Sequence, residues 1–189
     1  MLELITNWFA SAFATPRDVI AQIIGILPLS ISLFIFTQKT RGKVLVFKSI
    51  STFLWAVHYV ILGKTTGALT NAVLTVRGIV FSQRGKKGFS GIHIPIIFIA
   101  FTILSAIPDF KGIENLLPMT GSCISVIGFW QNDLRRLRWY NLAGVSLWLI
   151  YGLFSFSIPS LLSNTFTISS IVYALIKDHK EQKKQAQAE

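Results

Sequence analysis

The sequence predicts an all-α protein of seven transmembrane helices, arranged as a parallel 3+1+3 internal repeat with the N-terminus outside and the C-terminus in the cytoplasm. Three observations predict it: long uncharged runs, basic residues confined to every second connection, and a self-match at a shift of 93 residues. Of the 189 residues, 52% are hydrophobic and 14% charged, whereas an ordinary soluble domain carries roughly 25% charged residues. Lipid is therefore the solvent for much of the surface. The net charge of +10 is divided among short clusters between apolar runs, unlike the continuous basic footprint that nucleic acid requires, so the bilayer is the expected partner and nucleic acid is not.

Within the N-terminal segment 1–18, Met1 to Pro16 lack the basic stretch of a signal peptide and hold Glu3 where positive charge belongs. They read as an interfacial segment, with Trp8, Phe9 and Phe13 dipping into the headgroups. A helical span then needs about 20 mostly apolar residues. Val19 to Gln38 has no charge, Val44 to Gly63 only Lys48, placed to snorkel, and Thr65 to Gln83 only Arg77. These three make a first repeat over 19–83. Gly88 to Pro108 is a linker helix (88–108), and Asn115 to Asn132 opens a second repeat over 115–176. From Trp139 to Ile176 no acidic or basic residue occurs for 38 positions. As one helix that run would measure about 57 Å, nearly twice the hydrocarbon thickness, so it is two spans. The break falls at Ser155 to Ser160, where Pro159 suits the first turn of the next helix. The remainder, 177–189, is a basic cytoplasmic tail, expected to fray past its first turn.

The connections test this count, because Lys and Arg accumulate on the cytoplasmic side. Lys39, Arg41 and Lys43 follow the first span, Arg84, Lys86 and Lys87 the third, Arg135, Arg136 and Arg138 the fifth, and Lys177, Lys180, Lys183 and Lys184 the seventh. The other connections hold Lys64, then Lys111 offset by Asp109 and Glu114, then no charge. Six or eight crossings would put one basic cluster on the wrong face. Trp130, Trp139 and Tyr140 beside the arginine cluster read as an interfacial aromatic belt.

A shift of 93 residues superposes the first three spans on the last three without a gap. It places Ile31, Ser32, Phe36, Gln38, Leu54, Trp55, Leu69 and Asn71 on identical residues at 124, 125, 129, 131, 147, 148, 162 and 164. Tryptophan and asparagine are rare in spans, and both coincide. The extra span between the halves gives them the same orientation, so the repeat axis runs along the membrane normal.

The layout resembles that of the SWEET sugar transporters, in which each half offers a tryptophan on its second helix and, sixteen positions later, an asparagine on its third. Trp55 with Asn71 and Trp148 with Asn164 reproduce that spacing. At closer range, His58-Tyr59, the stretch Thr66-Gly67-Ala68-Leu69-Thr70-Asn71 through Arg77, and Asn115-Leu116-Leu117-Pro118 resemble the YgjV-like bacterial inner-membrane proteins over nearly the whole chain. The resemblance implies a multi-pass protein of the bacterial inner membrane with SWEET and PQ-loop architecture. No Pro-Gln dipeptide closes the first or fifth helix, as it does in PQ-loop proteins. Pro28 and Pro118 are the residues placed to bend those helices instead.

Trp55 and Trp148 stand near mid-span, away from the interfaces where tryptophan collects. Each is either an interhelical packing residue or the wall of a pocket, and a sugar's apolar face stacks on indole while its hydroxyls need amides. Asn71 and Asn164 would be costly unpaired in hydrocarbon, so they bond between helices or bind a solute. His58 lies one turn from Trp55 on the same face and either lines the pathway or bonds a carbonyl. Arg77 either snorkels to the inner headgroups or faces the cavity as a gate or an anion attractor.

All acidic residues lie outside the spans or at their ends, so no carboxylate stands ready for proton or sodium coupling. No nucleophile, base and orienting acid can be assembled, which argues against an enzyme. Cys123, the one cysteine, has no internal disulfide partner, and neither a metal nor a cofactor is expected. The leading expectation is a facilitative, uncoupled carrier of a small neutral or polar solute, a sugar among the candidates. Its substrate-binding residues would be Trp55, Asn71, Trp148, Asn164 and His58, with Arg77, Pro28 and Pro118 in gating or the pathway. The alternative is a non-transporting receptor or assembly partner that keeps the fold. A monomer suffices for such a site, with a homo-oligomer left open.

Overall fold

Uncharged runs bounded by charge clusters become helices joined by short turns. The computed structural model describes residues 2–35, 41–85, 89–110, 112–131 and 133–186. Lys39, Lys86 and Lys87 of the basic connections, Phe36 and Gln38 of the repeat, and residues 187–189 of the tail lie outside them. Among the described residues there are eight α-helices and no strand: α1 Leu2–Ala12, α2 Pro16–Ile35, α3 Arg41–Ile61, α4 Thr65–Ser82, α5 His93–Leu104, α6 Ile113–Trp130, α7 Leu134–Phe154 and α8 Ile158–Ala186. A 3₁₀ turn over Ile107–Asp109 follows α5.

Two helices, over Pro16–Leu33 and Ile158–Lys177, are each long and apolar enough to cross a bilayer, and Leu45–Ile61 and His93–Leu104 are shorter apolar segments. The other helices carry polar residues that the fold turns inward. Many polar side chains are buried among the described residues, Ser51, His58, Thr70, Arg77 and Ser122 among them, while Ile23, Phe53, Val60, Val76, Ile79 and Ile96 are well exposed. A soluble protein distributes these classes the other way round. The apolar exterior and polar interior suit lipid outside and a hydrophilic space within.

The helices α2, α3, α4, α6, α7 and α8 pack in that order around a ring, which closes where α8 meets α2; α5 lies outside, against α6 and α4. The hairpins share their ends. At one end Arg17 Nη2 donates to the Val60 carbonyl (2.9 Å), Lys64 Nζ to the Phe154 carbonyl (3.3 Å), and Asn115 Nδ2 to Thr66 Oγ1 (2.6 Å). At the other, an Arg84 Nη1–H donates to the Trp130 carbonyl, and the guanidinium lies 4.2 Å from the Trp130 ring centroid. Trp130 thus stitches α4 to α6 instead of joining an outer belt, which Trp139 and Tyr140, both exposed, remain free to form.

Small residues set the closest approaches. A Cβ on Gly144 would stand 2.6 Å from the Gly121 carbonyl oxygen, and one on Gly25 would stand 2.7 Å from Pro159 Cγ. Glycine lets the α6–α7 and α2–α8 backbones meet, as small residues do between membrane helices. Pro28 lies inside α2 and Pro118 inside α6. Ser32 Oγ (2.7 Å) and Ser51 Oγ (3.3 Å) both donate to the Pro28 carbonyl, so a hydroxyl of α3 is tied to α2 one turn beyond Ile24, whose carbonyl loses its helical partner because Pro28 has no N–H.

Three segments differ from the sequence reading. The linker helix spans 12 residues, about 18 Å at 1.5 Å per residue, because the chain is non-helical over 89–92 and turns again at Ser105 and Ala106. The tail does not fray after one turn: α8 continues to Ala186, since Lys, Gln, Glu and Ala propagate a helix already nucleated by the packed span. The N-terminal segment is anchored to the bundle. Trp8 Nε1 donates to the Leu153 carbonyl (2.9 Å), and Gln22 bonds the Ala12 and Phe156 carbonyls and the Ile158 N–H. Phe9 and Phe13 stay exposed.

Candidate functional site

The ring encloses a cavity of about 50 Å³, room for about three to five waters at ~10–15 Å³ each. Five pairs of positions 93 residues apart line it: Lys48 with Asn141, Thr52 with Val145, Trp55 with Trp148, Leu74 with Thr167, and Asn71 with Asn164. Arg77, Tyr59, Ser125, Phe129, Ser160 and Ser163 complete the wall. The structure therefore brings Trp55, Asn71, Trp148, Asn164 and Arg77 to one space.

Each amide is half committed. Asn71 Nδ2 donates to the Gly67 carbonyl of its own helix (2.9 Å), and Asn164 Nδ2 donates to Ser160 Oγ (3.2 Å). Trp148 Nε1 donates to Ser122 Oγ (3.1 Å), which fixes its indole against α6. One end of the cavity is closed by aromatic rings. Tyr59 is the centre of this plug, with ring centroids 6.1 Å from Trp55, 6.0 Å from Trp148 and 5.5 Å from Tyr151. Its hydroxyl bonds Ser160 Oγ at 2.9 Å.

Arg77 sits towards the opposite end and is only 1% exposed. It does not snorkel to a surface, because α4 is rotated so that Arg77 faces α6, with the guanidinium carbon 4.8 Å from the Phe129 centroid and 5.9 Å from that of Phe81. Its Nε and Nη1 are buried without a hydrogen-bond partner. Desolvating such a charge costs several kcal/mol, and a cation–π contact returns about 0.5–2 kcal/mol. The imbalance marks this as the most exacting position in the cavity wall.

Three residues singled out in the sequence lie elsewhere. His58 is fully buried, but between α2 and α8: Nδ1–H donates to the Ala21 carbonyl (2.8 Å), and Nε2 of the neutral ring accepts from the Ser157 hydroxyl (2.7 Å). It ties three helices together and does not line the cavity, because it points some 100° away from Tyr59, its neighbour on the helix. Pro28 and Pro118 are buried inside their helices and are not part of the wall. Lys48, Tyr59 and Asn141 were not singled out for the site. The 93-residue shift pairs Lys48 with Asn141, a signal hidden by their different chemistry. Among the described residues no group of His, Cys, Asp or Glu is placed to hold a metal.

Helices with an apolar exterior, packed around a small polar and cationic chamber, define a helical membrane protein with a central polar site. Over residues 19–182 the chain matches the family model Imp-YgjV, described as bacterial inner membrane protein. It belongs to that family, and is a protein of the bacterial inner membrane. No curated protein and no solved structure matches the chain.

Proposed function

We propose that this chain is a facilitative carrier of a small polar solute, which moves through the central cavity by rocking of two three-helix units. In this reading α2 to α8 make seven crossings, α2–α3–α4 and α6–α7–α8 are the parallel repeats, and α5 is the linker. The order of the ring supports it: a two-fold axis through the cavity exchanges the α4–α6 seam with the α8–α2 seam, and both are occupied. The SWEET-like architecture rests on the same symmetry. The end bearing Arg84, Arg135, Arg136 and Arg138 is then cytoplasmic, and the aromatic plug closes the outer side.

The observation that carries the proposal is the cavity wall itself. Five pairs of positions 93 residues apart meet around a polar space at the bundle centre, the concave site with a few placed polar groups that a solute needs. A single copy supplies the whole site. The aromatic, amide, hydroxyl and cationic groups of the wall are of the kinds that hold and orient a polar solute. At this volume the chamber is contracted, and a sugar would enter only on opening; sugars therefore belong in the test panel as one class among several. Uptake by proteoliposomes of labelled sugars, polyols, amino acids and small organic acids tests the reading. Flux of at least one class is expected, cut about tenfold or more by Asn71→Ala and by Asn164→Ala. Equal flux in these variants and the wild type would remove the site assignment.

A further inference from the structure

Two cations, Lys48 and Arg77, line the cavity, and none of its lining residues is acidic. Among the described carboxylates, Asp133 pairs with Arg136 (3.6 Å), and Asp18 holds the Thr15 hydroxyl and N–H at the start of α2 (2.7 and 3.0 Å). Glu114 lines a different pocket, with Lys64 and Thr66 at the plugged end. A guanidinium this deeply buried is stable only when its N–H groups are bonded and its charge is answered. Phe129 and Phe81 answer part of the charge through their ring faces, but rings accept no conventional hydrogen bond from Nε and Nη1, which stay unpartnered. Lys48 makes matters worse, since like charges in a low-dielectric space repel. A neutral solute would leave that repulsion in place.

We propose that the solute recognised in this cavity is a small oxyanion, carrying a carboxylate, phosphate or sulfate group seated between Arg77 and Lys48. An oxyanion offers several acceptor lone pairs, so it can take charge-assisted bonds from the guanidinium and the ammonium together. The amides of Asn71 and Asn164 and the hydroxyls of Ser125 and Thr167 add donors on the remaining sides of the wall. Compensation that the protein withholds from Arg77 is thus supplied by the ligand, which couples occupancy of the site to stability of the bundle core. The inference rests on the carrier reading for what the site does with its ligand, but not for the binding itself.

The test separates the two. The whole chain in detergent is titrated with sodium oxalate, phosphate or sulfate at constant ionic strength, with chloride, which carries no oxygen acceptors, as the replacement anion, and tryptophan fluorescence reports because Trp55 and Trp148 line the cavity. Saturable binding of at least one of the three is expected, weakened about tenfold or more by Arg77→Gln, in line with loss of a charge-assisted bond, and partly kept by Arg77→Lys. The conservative variant guards against a folding defect, and unchanged circular dichroism and gel-filtration profiles are required of both. In proteoliposomes, uptake of the labelled anion should rise several-fold under an inside-positive potassium potential set with valinomycin, while glycerol and glucose do not respond. Binding that Arg77→Gln abolishes, without flux, sustains the anion site and overturns the carrier. Flux of a neutral solute that Asn71→Ala removes and Arg77→Gln leaves intact sustains the carrier and overturns the anion site. Neither binding nor flux overturns both.

Discussion

Replacing Gly144 by alanine is the most direct challenge to the packing that shapes the cavity. The added Cβ would lie 2.6 Å from the Gly121 carbonyl oxygen and 2.6 Å from Ser125 Oγ, where a carbon and an oxygen normally rest no closer than about 3.3 Å. The serine can change rotamer, but the carbonyl is part of the α6 backbone, so α6 and α7 must part by about 0.7 Å if contact is to be restored to that distance. Overpacking of this kind costs about 1–3 kcal/mol. At about 2–4 °C per kcal/mol for a chain of this size, the midpoint should fall by about 2–12 °C. Differential scanning fluorimetry on the detergent-solubilised protein measures it. Gly152→Ala is the control, because its nearest neighbour is the flexible Leu161 Cδ2 at 3.0 Å, and it should melt close to the wild type. Should Gly144→Ala melt with the wild type while Gly152→Ala falls, the close α6–α7 contact is not what holds that seam. Because Trp148 Cδ1 lies 3.2 Å from the Cβ position of Gly121 on the same seam, the same variant should also lower uptake.

His58→Leu should destabilise the protein by about 2–4 kcal/mol, since two hydrogen bonds go and the Ala21 carbonyl and Ser157 hydroxyl are left buried; residual flux should keep the wild-type substrate preference, and an altered preference would return His58 to the pathway. Gln22→Leu removes three bonds that join the end of α1 to the α7–α8 turn, and limited proteolysis should then cleave near residues 12–15 at least several-fold faster. Tyr59→Ala withdraws the central ring of the plug; with Cys123→Ser and Ser163→Cys as background, a membrane-impermeant maleimide added outside should label Cys at 163 faster, and unchanged labelling would place the closure elsewhere.

The sequence by itself determined the class of the molecule and most of its helices. Hydropathy and charge alternate along the chain, so the ends of α3, α4 and α6 and the turn near Pro159 could be read in one dimension, whereas the start of α7 and the end of α8, both in polar sequence, could not. That Trp55 and Trp148, Asn71 and Asn164 belong together was legible too, since they share one offset of 93 residues, and all four line the cavity. What only the tertiary structure decided is which way each helix is turned about its own axis. One residue's step rotates a side chain by some 100°, and that separates His58, bonded between α2 and α8, from Tyr59, which plugs the cavity. The same rotation settles Arg77: its place along the chain favoured snorkelling over cavity lining, and the structure buries it in the cavity wall instead. Ring closure buries it against Phe129 beside Lys48, because a helix in a closed bundle presents to the centre whatever face its neighbours' small residues and hydroxyls allow to approach, and that choice is made by six helices together.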